Sequence, residues 1–97
     1  MKVLAIIDVA PSASIDVIRA ELKKELREAW RLYGSGMLRE AYTTDVPTRV
    51  VFVLEAQDMP HAEEGLRGLP LVASGIMRAS LVELRPFTNW SALFATQ

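Results

Sequence analysis

The sequence predicts an α+β fold: one four-stranded antiparallel sheet with both helices on the same face, in the order β-α-β-β-α-β. Two short segments that are apolar on both sides lead there, Val3–Val9 and Val50–Leu54. A half-buried strand alternates apolar and polar side chains, because successive residues point to opposite faces. Here Val3, Ala5, Ile7 and Val9 oppose Leu4 and Ile6, while Val50, Phe52 and Leu54 oppose Val51 and Val53. These are the strands expected at the sheet centre. The third observation is scale: 97 residues make one domain with helix enough to cover one face. A second copy of the chain is therefore expected to cover the other.

Residues 2–9 form the first strand, and Pro11-Ser12-Ala13-Ser14 breaks it. The same stretch is a poor signal peptide, because Asp8 cuts its apolar run short. Ser14 or Asp16 is placed to cap a helix that runs to about Tyr33. Ile18, Leu22, Leu26, Ala29, Trp30 and Tyr33 form its apolar stripe, expected to face the core. Gly34-Ser35-Gly36 ends it, since glycine accepts the left-handed C-cap. Met37–Thr44 is the second strand, Asp45–Thr48 a turn, and Arg49–Ala56 the third strand. Pro60 opens a second helix over about 60–67, with Ala62, Leu66 and Leu69 inward. Val72–Gly75 is a turn or short helix, and Ile76–Arg85 the last strand. Right-handed crossovers turn this order into a ferredoxin-like sandwich over residues 1–86. Residues 87–97 are a tail whose Trp90 and Phe94 need burial, on a partner subunit or over its pocket. Two sheets packed through their uncovered faces would make a dimeric α/β barrel.

Composition narrows the function. Eleven basic and twelve acidic residues give a net charge of −1, so no basic field draws nucleic acid. No segment is long and apolar enough for a bilayer, and none reads as a membrane-surface anchor. The absence of cysteine removes disulfides, thiolate metal sites and cysteine nucleophiles, and fits a cytoplasmic protein. His61, alone at a helix start, has no neighbours at metal-ligand spacing. No Ser-His-Asp order, phosphate loop or dinucleotide fingerprint occurs.

The remaining chemistry lies on the strands. Asp8, an acid at the end of an apolar strand, is a general acid or base if buried and a solvated strand end if not. Glu40 and Tyr42 share one side of the second strand and Arg39 the other, so a bulge or subunit boundary is needed to bring all three together. Glu40 could move a proton, Tyr42 donate to a developing enolate, and Arg39 hold a carboxylate. The alternative is an edge strand whose charges discourage further pairing. Arg78, beside Ser80 and among apolar neighbours, is a second anion-binding candidate or an edge residue reaching water.

Gly36-Met37-Leu38-Arg39-Glu40-Ala41-Tyr42 and Gly68-Leu69-Pro70-Leu71, within this element order, resemble the muconolactone isomerase-like proteins of the dimeric α/β-barrel superfamily. Those enzymes shift a double bond in a small lactone by moving a proton. The resemblance implies no metal or organic cofactor, a small organic acid or lactone as ligand, and assembly as dimers or rings of dimers. Arg39 matches the family arginine, and Glu40 stands where the family has histidine. The site residues that follow are Glu40, Tyr42 and Asp8 for proton transfer, with Arg39, Arg78 and Trp90 for substrate. The alternative is a non-catalytic ligand-binding or accessory subunit of the same fold. A heme-dependent relative would have only His61 to offer iron.

Overall fold

A computed structural model of the chain describes residues 1–95. Four strands, β1 (Lys2–Val9), β2 (Leu38–Thr44), β3 (Arg49–Glu55) and β4 (Met77–Leu84), form one antiparallel sheet in the order β2-β3-β1-β4. The two strands that are apolar on both faces are the central pair, as their sequence required. Helices α1 (Ile15–Ser35), α2 (Met59–Arg67) and the one-turn α3 (Pro70–Ala73) connect them. The architecture is α+β and compatible with a ferredoxin-like sandwich. No helix among the described residues is long and apolar enough to cross a membrane.

The helix ends follow local chemistry. Ser14 occupies the N-cap of α1 in extended conformation without a side-chain cap bond, and Gly36 closes the helix at φ 87°. Only glycine adopts that backbone freely. Asp58 caps α2 by accepting the His61 N–H at 2.8 Å. His61 Nδ1 in turn accepts the Gln57 N–H at 3.0 Å, which gives the lone histidine a structural partner.

The core lies between the sheet and the helices. Val3, Ala5, Ile7, Phe52 and Leu54 point into it from the central strands. Ala62, Leu66, Leu69 and Leu71 close it from above, each at most 2% exposed. Packing here is tight enough that Gly65 has the Met37 thioether where a Cβ would stand.

Two expectations are corrected. The first is the orientation of α1. Its inward side is Glu25 and Leu32, with Ile18 and Ala29 half-buried beside them. Leu22, Leu26, Trp30 and Tyr33 are instead 42%, 57%, 73% and 55% exposed. The helix is turned roughly 60° from the orientation that its apolar stripe alone predicts. The physical reason is that α3 meets α1 at Glu25 and draws that edge of the helix inward. The second is β2, which starts at Leu38 and carries a register shift between Leu38 and Glu40, so Arg39 is the extra residue of a bulge.

Among the described residues no helix covers the other face of the sheet. Leu4, Ile6, Val51 and Val53 are half-buried there, and Val82 and Leu84 are exposed. Past Leu84 the chain enters a 3-10 segment, η1 (Thr88–Phe94), which buries nothing. The expected tail runs to Gln97, and its last two residues lie outside the described residues. The molecule is 62 Å long with a radius of gyration of 16.2 Å. A compact chain of this length has about 13 Å.

Candidate functional site

The rotation of α1 leaves a cleft of about 490 Å³ between that helix and the β2–β3 side of the sheet. Ile7, Leu38, Val50 and Phe52 form its floor, and Leu22, Leu26, Trp30 and Tyr33 its rim. Trp30 and Tyr33 stack with ring centroids 5.4 Å apart, so the rim is aromatic at one side. The volume suits a small organic molecule.

One carboxyl group stands in this apolar wall. Glu25 is 9% exposed, and its Oε1 accepts the backbone N–H of Leu71 at 2.9 Å. That amide belongs to the first turn of α3, where helical N–H groups have no partner within the helix. Burial pushes the Glu25 pKa up. The Leu71 hydrogen bond opposes this, and the nearby Glu28 carboxylate adds to it. A buried, singly hydrogen-bonded acid beside a cavity can hold or release a proton toward whatever occupies that cavity. Among the described lining residues there is no arginine or lysine. The cleft therefore favours a neutral molecule over an anion.

The residues singled out from sequence are placed elsewhere, apart from Tyr42. The bulge at Arg39 does not aim its guanidinium at a shared pocket: Arg39 Nε donates to Gly36 O at 2.6 Å. Glu40 and Tyr42 do share a side of β2, the bare one, paired with Val53 and Val51. Tyr42 donates its hydroxyl proton to Glu40 Oε1 at 2.6 Å. That bond raises the Tyr42 pKa and holds the phenol in its neutral form. Tyr42 also edges the cleft. Asp8 lies two strands away at the far end of the bare face, where it pairs with Arg49 Nε at 2.7 Å. Arg78 stands opposite Asp8 in the register and borders a second cavity, about 530 Å³, between the α2–α3 corner and β4. Arg67 and Glu63 share that border. Trp90 is on the arm, 66% exposed, packed edge-on against Phe87 with centroids 4.8 Å apart. Of the proton-transfer candidates, Glu40 and Tyr42 meet in a hydrogen bond and Asp8 lies apart from both.

Glu25 is the residue that sequence reasoning missed. It sits among the charged residues of α1, and its only signal is its position between Leu22, Leu26 and Ala29. In the observed rotation of α1 that position faces inward and meets the Leu71 amide. Among the described residues, no group of three or more acidic or histidine side chains is gathered as a metal site. Neither a known protein-family model nor a curated protein matches this chain, so neither comparison identifies it as muconolactone isomerase-like.

Proposed function

We propose that the chain is a homodimer, joined through the bare face of its sheet as a dimeric α/β barrel, that binds a small neutral organic molecule in each α1 cleft. Glu25 is the proton carrier in a cofactor-independent isomerisation. A neutral lactone fits the cleft better than a free organic acid, because among the described lining residues the only charged group is itself an acid. The Glu25 carboxylate would take a proton from the carbon next to the lactone carbonyl. It would return it at the far end of the shifted double bond, leaving the proton count unchanged. The observation that carries this reading is the Glu25 carboxyl in the wall of a 490 Å³ apolar cleft. The dimer rests on the row of Leu4, Ile6, Val51, Val53, Val82 and Leu84, an apolar surface that one chain leaves uncovered.

The test uses a five-membered unsaturated lactone in deuterated water. The wild-type protein is expected to be stabilised by the lactone and to exchange deuterium into it. Glu25→Gln should keep the stabilisation and lose the exchange. Equal exchange by both proteins would remove Glu25 from the reaction. A second reading, binding without chemistry, is favoured by the engagement of Glu25 with α3. It predicts stabilisation by the lactone with no exchange in either protein.

A further inference from the structure

We infer that the groove between α2 and β4 receives an extended peptide with a free C-terminal carboxylate, which adds to β4 as a fifth strand. β4 is an edge of the sheet and pairs on one side only, with β1. Its ladder runs without a bulge from Met77 to Leu84, whereas the other edge, β2, is interrupted at Arg39. A regular edge is a template for another strand. The hydrogen bonds of an antiparallel pair fall on alternate residues. The Ala10 N–H donates to Ile76 O at 2.8 Å, which assigns the even-numbered residues of β4 to β1. Met77, Ala79 and Leu81 therefore turn their backbone N–H and C=O groups outward, away from the sheet.

The second cavity, about 530 Å³, lies along this strand. Met77, Ala79 and Leu81 border it from β4, with Met59 and Leu66 of α2 and Val72 of α3 opposite, so its walls are largely apolar. From Met77 to Leu81 is roughly 14 Å of strand, the reach of about five residues. Arg67 of α2 and Arg78 of β4 stand on the same border. Among the described residues neither is in an ion pair, although Glu63 lies one helical turn before Arg67. The groove thus joins an open strand edge, an apolar wall and two cations. Those are the parts that hold a peptide backbone, its side chains and its terminal carboxylate.

Strand direction decides which end of the peptide meets the arginines. Glu55, Lys2 and Leu84 share one end of the sheet, and Val9 and Met77 the other. α2 begins soon after Glu55 and leads toward the start of β4, so its last residue, Arg67, lies toward the Met77 end. Arg78 is at that end too. A strand added antiparallel to β4 begins near Leu84 and finishes there, with its carboxylate at the two arginines. Its alternate side chains face Met59, Leu66 and Val72. A peptide presents N–H and C=O groups in turn, as the edge does, whereas a small carboxylate offers acceptors alone. The groove is separate from the α1 cleft, and the inference does not rest on the lactone reading.

The probe is a library of five-residue peptides, dye-labelled at the N-terminus and free at the C-terminus, read by fluorescence anisotropy against the full chain. The expected result is selection of peptides that are apolar at alternate positions. Their affinity should fall about tenfold or more on amidation of the C-terminus, and equally for Arg67→Glu. Leu26→Asp, on the rim of the α1 cleft, should leave it unchanged. N-methylation of a selected peptide should abolish binding at alternate amides and spare it at the intervening ones, the signature of a strand on an edge. No selection from the library, indifference to amidation, or a methylation scan without alternation overturns the proposal. Loss of binding in Leu26→Asp and not in Arg67→Glu assigns the peptide to the α1 cleft and overturns it as well. Self-association that Arg67→Glu abolishes and no peptide displaces gives the edge to a second copy, with the same consequence. The methylation scan uses the unaltered protein, so it decides the matter if Arg67→Glu fails to fold.

Discussion

The two halves of the helical layer treat the same kind of side chain in opposite ways. Over the α2–α3 half, Leu66, Leu69 and Leu71 are almost fully buried and Gly65 lets α2 approach Met37 closely. Over the α1 half, Leu22 and Leu26 lie on the rim of an open cleft, while a carboxylate takes the inward position. Hydrophobicity is equal in the two halves, so it does not explain the difference. The hydrogen bond from the Leu71 amide to Glu25 does: it fixes α1 at one rotation and holds one flank of it off the sheet. One half of the layer is closely packed and the other is open.

The largest effect that would break this contrast is in the closed half. Leu54→Ala removes a side chain with no exposure and should cost about 2–5 kcal/mol in urea unfolding. Leu26→Ala in the open half should cost below about 1 kcal/mol at protein concentrations where the chain is monomeric. Equal costs would mean that α1 is packed down in solution. Next is Val82→Lys on the bare sheet face, where Val82 is 50% exposed. Analytical ultracentrifugation should show the proposed dimer lost, while monomer stability changes by about 0.5 kcal/mol or less.

A smaller effect reads Glu25 itself. Burial raises its pKa, so the folded chain holds that proton more tightly than the unfolded chain. Stability from this group is therefore fully present below the ordinary value of 4.5 and is lost as pH rises from there through the raised value. Glu25→Gln keeps an acceptor for the Leu71 amide and removes the ionisation. Thermal melts should show it flattening this part of the profile and raising Tm at neutral pH. A steeper profile would contradict the burial argument. The smallest effect is expected from Asp8→Asn, which breaks a half-exposed ion pair with Arg49 and should cost about 1 kcal/mol or less, declining with added salt.

Much of the fold was legible in the sequence for identifiable reasons. Strands apolar on both faces must be central, and β1 and β3 are. Gly36 and Pro60 punctuate the chain where their backbone chemistry demands. The rotation of α1 was not legible, because two adjacent stripes compete on it. The more apolar one, through Leu22, Leu26 and Trp30, wins by periodicity, yet the one through Ile18, Glu25, Ala29 and Leu32 meets the body. A glutamate in the middle of the inward stripe hides it, and its partner, Leu71, lies 46 residues away in sequence. The bulge at Arg39 was equally hidden, since nothing in Leu38-Arg39-Glu40 marks an extra residue. The candidate site moved from the strands to the helix for this reason.

The bond between Glu25 and Leu71 also makes the cleft observable at a single nucleus. The chemical shift of the Leu71 amide proton depends on the charge of the carboxylate it faces, so a pH titration followed at that one resonance reads the ionisation of Glu25 in place. The same resonance should respond when a molecule enters the cleft, and its rate of exchange with solvent should report how often α1 and α3 part. One backbone amide, which is not among the residues lining the cleft, thus serves as the gauge of the charge on Glu25.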